Sequence, residues 1–168
     1  MQRVLRLAVC LMMLLPSCGY QFAGGGRLPG GAETISVLMF ENRTAETGIQ
    51  TRLTSDLTYE VTRRDSSRVA GPENADALLA GIVKMVQDAD IAHTGTVTAS
   101  QRRVTITVDV QLKRPDGTVL WSRNGLSDYE AYDVGSNKSQ TTLNRKGAIE
   151  KLSKRMAELI YKGITADF

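Results

Sequence analysis

The segment from Val104 to Leu112 constrains the fold more than any other part of the chain. Its apolar residues alternate strictly with polar ones, since Val104, Ile106, Val108, Val110 and Leu112 are separated by Thr105, Thr107, Asp109 and Gln111. This period of two residues is typical of a β-strand with one buried and one solvated face. Pro115-Asp116-Gly117 predicts a turn, because proline presets φ and glycine accepts a left-handed conformation. We therefore predict a hairpin whose second strand runs from Val119 to about Tyr132.

Three other segments predict further strands. Thr34 to Phe40 and Ala77 to Gln87 are rich in β-branched or apolar residues, which is typical of buried strands. Glu41-Asn42-Arg43-Thr44 is expected to end the first of these strands, and Ser67 to Ala70 predicts a short one. The segment from Asp88 to Ser100 follows no clear period, and we expect it to contain a loop at a hairpin end.

Two helices complete the prediction. Thr47-Gly48-Ile49-Gln50 has the spacing of a capping box, and apolar residues then recur at four-residue steps until about Arg64. After a polar loop from Val134 to Ser139, a second helix is predicted from Thr141 to Tyr161, with Gly163 as its stop. Its inward-facing residues are expected to be Ile149, Leu152, Met156, Leu159 and Ile160.

The order of these elements predicts the fold class. A strand, a helix, three or four strands mostly in hairpins and a final helix indicate an α+β fold. We predict a two-layer sandwich, with two helices packed on one face of a mostly antiparallel mixed sheet of about four strands. Residues 34–168 form the single predicted domain, which is long enough to bury a core.

The amino terminus predicts secretion. Arg3 and Arg6 precede an apolar stretch from Leu7 to Leu15, and the small residue Ser17 precedes Cys18. The stretch is too short to span a bilayer, which needs about 20 apolar residues. Residues 1–17 are therefore predicted to be a signal peptide, in preference to an uncleaved transmembrane helix.

Cys18 predicts a lipid anchor, because a cysteine just after the cleavage site can carry acyl chains on its thiol and its freed amine. Two or more chains give stable anchoring, whereas a plain signal with a coincidental cysteine is the weaker alternative. Residues 18–33 contain the run Gly24-Gly25-Gly26 and predict a flexible linker. Similarity to bacterial lipoproteins favours the outer membrane, since Gly19 stands where aspartate would indicate retention at the inner membrane.

Composition and motifs argue against nucleic-acid binding and against catalysis. Removal of Arg3 and Arg6 from the 21 basic residues leaves 19 against 18 acidic residues, whereas nucleic-acid-binding proteins are usually far more basic. His93 is the single histidine, so no paired-histidine metal site is expected, and Asp88 and Asp90 are interpreted as a solvated turn. We therefore predict no enzyme activity, no metal and no cofactor.

Basic residues offer the main candidate for ligand binding. Arg102 and Arg103 lie at the start of the alternating strand, and Lys138 lies in the loop before the last helix. They could form a patch for phosphate groups, to which Arg and Lys make charge-assisted hydrogen bonds. A solvated basic surface is the competing interpretation, and the residues alone leave both open.

The order and spacing of several short motifs resemble one known family. These motifs are Cys18-Gly19-Tyr20-Gln21-Phe22, Leu28-Pro29, Phe40-Glu41-Asn42-Arg43-Thr44, Gly48-Ile49, Leu53-Thr54, Ala75-Asp76-Ala77-Leu78-Leu79-Ala80-Gly81 and Gly117-Thr118-Val119-Leu120-Trp121. Together with the closing amphipathic helix, they resemble the lipopolysaccharide-assembly lipoproteins (LptE, also called RlpB) of the outer membrane. The resemblance covers nearly the whole mature chain.

This resemblance implies a function without covalent chemistry. A family member plugs the lumen of the LptD-type β-barrel translocon, helps that barrel to assemble and can bind lipopolysaccharide. In the family, basic residues that contact the ligand lie in a strand-connecting loop and in the loop before the last helix. Lys138 corresponds to the second position, and Arg102 and Arg103 are the basic pair nearest to the first.

A lipid-anchored activator of a peptidoglycan synthase is the rival hypothesis, because it would also be a small α+β domain on a tether. Such an activator must reach across the periplasm. The roughly 14 residues between Cys18 and the first strand span at most about 50 Å when fully extended. This short reach favours a partner in the anchoring membrane.

Overall fold

The fold consists of a mixed sheet and two helices. The structure, a computed structural model, describes residues 27–94 and 98–166, and the side chains of residue 67 and residues 92–99 are not part of this description. The elements in these ranges are β1 (Ile35–Val37), β2 (Glu41–Asn42), α1 (Ile49–Arg64), β3 (Ala77–Thr94), β4 (Thr98–Lys113), β5 (Val119–Asp133) and α2 (Lys138–Thr165). β1 and β2 pair in parallel with β3, while β3, β4 and β5 form an antiparallel meander. The predicted α+β fold is confirmed.

The two helices run parallel to each other. Three contacts advance along both helices in the same direction: Arg52 to Glu150 (3.2 Å), Asp56 to Ser153 (2.6 Å) and Arg64 to the ring of Tyr161 (5.7 Å to its centroid). Both helices therefore begin at the same end of the molecule. We call this the helix-start end, which comprises residues 43–48, 88–94, 98–102 and 133–145.

The core lies between the helices and the meander. The alternating apolar residues of β4 are fully buried, as the sequence predicts, and they face a stripe on α2 that includes Leu152, Met156 and Ile160. The prediction that Leu159 faces inward is wrong, since its side chain is 37% exposed. A step of one residue turns a helical side chain by about 100°, which moves Leu159 off the stripe occupied by Ile160.

The first predicted strand is divided in two. β1 ends at Val37, and the chain pairs with β3 again at Glu41–Asn42, so the predicted break at Glu41 is wrong. Phe40 lies between the two strands and is 2% exposed. Its ring packs on the backbone of Gly81, where an added Cβ would lie 2.4 Å from a ring atom. Glycine at this position leaves room for the ring.

Two other strand predictions are wrong. The strand predicted from Ala77 to Gln87 does not end at Gln87, because β3 continues to Thr94. The hairpin end expected within Asp88 to Ser100 is present, since β3 pairs antiparallel with β4, which begins at Thr98. Three register shifts in the β3–β4 pairing interrupt the alternation of side chains and conceal the strand in the sequence. Ser67 to Ala70 is not a strand either: a 3-10 turn spans Ser66–Arg68, and a single bridge joins Val69 to Ile35.

The helix boundaries also differ from prediction. Gly48, with φ 82°, is the N-cap residue of α1, so Thr47 does not form the predicted capping box. α2 begins three residues earlier than predicted, because the Asn137 side chain accepts a hydrogen bond from the backbone N–H of Gln140 (2.9 Å). Gly163 lies within α2 and packs on Trp121, where an added Cβ would lie 2.9 Å from the indole.

The described end of the predicted linker contacts the domain. Leu28 and Ala32 are buried in the core, and Arg114 donates a hydrogen bond to the carbonyl of Gly30 (2.6 Å). The predictions for residues 1–26, including signal cleavage and acylation of Cys18, lie outside the described residues.

Candidate ligand and docking site

The three predicted ligand residues occupy different surfaces. Arg102 and Arg103 lie within β4, paired with Tyr132 and Ala131 of β5, and as consecutive strand residues they point to opposite faces of the sheet. Lys138 is the exposed first residue of α2, so its predicted place in a loop is wrong by one position. The structure brings Arg102 and Lys138 to the helix-start end, but it does not bring Arg102 and Arg103 to one face.

Both arginines already have partners. Arg102 donates a hydrogen bond to Asp90 (2.6 Å), and this contact raises the pKa of Arg102. Asp88 and Asp90 both lie within β3, so the prediction that they form a solvated turn is wrong. The Arg103 guanidinium lies 5.4 Å from the centroid of the Tyr129 ring, within the range of a cation–π contact. An anionic ligand would have to compete with Asp90 for Arg102, whereas Lys138 is the more accessible cation.

Arg145 forms a polar cluster that sequence reasoning missed. It donates to both carboxylate oxygens of Asp88 (3.1 and 3.0 Å) and to Glu46 (2.8 Å), and these contacts raise its pKa. The Tyr132 hydroxyl donates to Asp88 (2.7 Å), and burial together with this carboxylate raises the pKa of Tyr132 to about 12. The cluster joins α2, β3, β5 and the loop before α1. Its members lie up to 99 residues apart, so no local sequence motif indicates the cluster.

A groove separates the amino-terminal turns of the two helices. Its volume is about 710 Å³, and its lining includes Arg52, Arg145 and Lys146 together with Glu46 and Asp56. Because the groove carries both signs of charge, it does not have the uniformly positive lining expected of a phosphate site.

In the part of the chain that the structure describes, the face of the sheet opposite the helices is open. Thr105, Thr107 and Ser127 lie on it, and the hydroxyls of Thr107 and Ser127 are hydrogen-bonded (3.1 Å). Met85 (40% exposed) and Tyr129 (55% exposed) lie on the same face. A face of small polar groups with a few large apolar side chains suits docking against another protein, since aromatic residues and Met are enriched in interfaces.

The described ranges show no arrangement suited to metal chemistry. Within residues 27–94 and 98–166, no group of three His, Cys, Asp or Glu side chains could hold a metal ion. Among the described helices, none is long and apolar enough to cross a membrane.

Comparisons with known proteins identify similar folds and one family. The family model described as LptE, lipopolysaccharide-assembly, matches residues 32–163. No curated protein sequence matches the chain.

Solved lipoprotein structures share the fold at low sequence identity. Lipoprotein B of Nitrosomonas europaea has a TM-score of 0.62 at 13% identity, covering 88% of this chain and 91% of its own. Rare lipoprotein B of Shewanella oneidensis has a TM-score of 0.56 at 9% identity, with coverages of 78% and 94%. A minor lipoprotein of Acinetobacter baumannii has a TM-score of 0.51 at 15% identity, with coverages of 80% and 92%.

Proposed function

Because the chain belongs to the LptE family of lipopolysaccharide-assembly proteins, we propose that it plugs an outer-membrane LptD-type β-barrel translocon and helps it to assemble. The observation that carries this proposal is the extent of the family match. Residues 32–163 include every strand of the described sheet, all of α1 and nearly all of α2. The match therefore concerns the whole domain and not a single motif.

The open face of the sheet supports a role as a plug. The lumen of a large outer-membrane barrel is lined by polar groups, so a domain that fills it needs polar surface. Thr105, Thr107 and Ser127 offer hydroxyls on the open face, and Arg103 and Tyr129 offer a charge and an aromatic ring. An acyl anchor at Cys18 would keep the domain near the barrel at high effective concentration.

Lipopolysaccharide is the proposed ligand, with Lys138, Arg102 and Arg103 as its contact residues. Phosphate groups on lipid A make charge-assisted hydrogen bonds with Lys and Arg. Since Arg102 is paired with Asp90 and Arg103 lies over Tyr129, Lys138 is expected to make the largest contribution.

Affinity purification from detergent-solubilised envelope tests the plug. We expect one large β-barrel protein to be recovered in equal molar amount with the chain. Recovery of a peptidoglycan synthase without a barrel would favour the rival regulator and refute the proposal.

A charge reversal tests ligand binding. Lys138→Asp is expected to weaken binding of purified lipopolysaccharide, whereas Lys154→Asp, an exposed lysine in the middle of α2, is the matched control and should not. Circular dichroism verifies that both variants fold. Equal binding by the two variants would exclude Lys138 from the ligand site.

A further inference from the structure

β5 lies at one edge of the described sheet and pairs only with β4, so each of its backbone groups points either to β4 or to the outer edge. The Val134 N–H donates to the Ser100 carbonyl of β4 (3.0 Å). Because strand backbone groups alternate in direction, even-numbered residues from Leu126 to Val134 bond to β4 and odd-numbered ones point to the outer edge. An outer edge with free N–H and C=O groups is a template for pairing with another chain.

Side chains already bind three of these outward groups in the second half of β5. The Tyr129 carbonyl accepts a hydrogen bond from Arg155 of α2, and the Tyr129 N–H donates to the Asp128 carboxylate (2.8 Å). The Asp133 carbonyl accepts from the Asn144 side chain of α2 (2.9 Å). Two residues of α2 thus bind backbone carbonyls that a further strand would need.

Arg155 is held in this position by two carboxylates. Its guanidinium donates to Asp128 (2.5 Å) and to Glu130 (2.7 Å), and both contacts raise its pKa. The same side chain therefore neutralises the acidic side of the strand and covers its edge.

The first half of β5 presents its own backbone groups at the outer edge. Between Leu126 and Arg123 the pairing with β4 is irregular, and Arg123 pairs with Val110. This pairing directs the backbone groups of Ser122 away from β4, toward the outer edge. Arg123 itself is exposed and lies on the side of the sheet that Val110 shares. If β5 paired antiparallel with β5 of a second copy, Ser122 of one copy could bond to Tyr129 of the other. Arg123 of one copy would then lie opposite Asp128 of the other.

We propose that Arg155, with Asp128 and Asn144, guards the edge of β5 against pairing with a second copy of this chain. Arg155 occupies the carbonyl and the carboxylates that the second copy would use. Its removal frees the Tyr129 carbonyl and takes the arginine partner away from Asp128, which is then available to Arg123 of the second copy. The expected product is a two-fold symmetric dimer, in which the same surface is used twice.

Sedimentation velocity of the full mature chain in detergent tests whether Arg155 prevents dimerisation through the edge of β5. Arg155→Met is expected to show about a twofold rise in protein mass per particle as its concentration increases. Arg145→Met is the matched control, because it also removes an α2 arginine with two carboxylate partners but leaves the edge of β5 covered. It is expected to remain monomeric.

A second substitution distinguishes association through the edge of β5 from association caused by destabilisation of the fold. Ser122→Pro removes an outward N–H without loss of a bond to β4, so it should return Arg155→Met to the monomer. A folded Arg155→Met chain that stays monomeric, or equal association of Arg155→Met and Arg145→Met, would overturn the proposal. If Arg155→Met does not fold, Arg155→Lys, which cannot span all three acceptors, replaces it with the same expected outcome.

Discussion

One added methyl group at Gly81 tests how tightly Phe40 packs on the sheet. A Cβ at this position would lie 2.4, 2.5 and 2.7 Å from three ring atoms, well inside the carbon–carbon contact distance of about 3.5 Å. Phe40 is buried, so its ring cannot move without displacing core neighbours. Overpacking of this kind destabilises the folded state by about 1–3 kcal/mol. Alanine also lowers the conformational entropy of the unfolded chain, which offsets about 0.4–1 kcal/mol of this loss. Gly81→Ala should therefore lower the free energy of unfolding by about 1–2 kcal/mol.

Thermal and urea unfolding, followed by circular dichroism, measure this loss, which corresponds to a fall in Tm of about 2–4 °C per kcal/mol. Gly147→Ala in α2 is the control, because an added Cβ there meets nothing within 4 Å. This substitution should raise the free energy of unfolding by about 0.5–1 kcal/mol. When Phe40 is replaced by Leu, Gly81→Ala should lower the free energy of unfolding by at least about 0.5 kcal/mol less than it does in the unaltered chain. An unchanged cost in that background, or no cost at all, would refute the packing argument.

Three further predictions concern stability. Arg145→Met should lower the free energy of unfolding by about 1–2 kcal/mol in urea, because it leaves two partly buried carboxylates unpaired; an unchanged midpoint would show that the cluster is not stabilising. Leu152→Ala, at a fully buried site, should cost about 2–5 kcal/mol in the same assay, and a loss below about 1 kcal/mol would contradict the assigned core. Burial raises the pKa of Glu60, but hydrogen bonds from Arg63 and Arg64 lower it more, so the net pKa is below its unfolded value of about 4.3. Its stabilisation is therefore present above that pH and lost as the pH falls, and Glu60→Gln should flatten the acid limb of a stability–pH profile; an unaltered limb would exclude this contribution.

The meander and the core were predictable because their patterns are local. The alternation from Val104 to Leu112 specified a half-buried strand, and the turn at Pro115-Asp116-Gly117 specified the direction of its partner. The four-residue stripe of α1 specified its buried side. Each signal lies within a few residues of the structure that it determines.

The remaining features depend on distant parts of the chain. β3 was predicted too short, because its register shifts interrupt the alternation that identifies a strand. The need for glycine at position 81 comes from Phe40, a residue 41 positions earlier in the chain, so no local pattern indicates it. Arg102 was predicted to bind an anionic ligand, but it is paired with Asp90, 12 residues away, and the carboxylate partners of Arg145 lie 57 and 99 residues away. The sequence indicated which residues carry charge but not which charges meet.

The amount of lipopolysaccharide at the cell surface, measured after depletion of this chain from its native host, tests the proposed function most directly. The account predicts that surface lipopolysaccharide falls as the chain is depleted and recovers when the chain is supplied again. A normal amount of surface lipopolysaccharide in cells that lack the chain would contradict it.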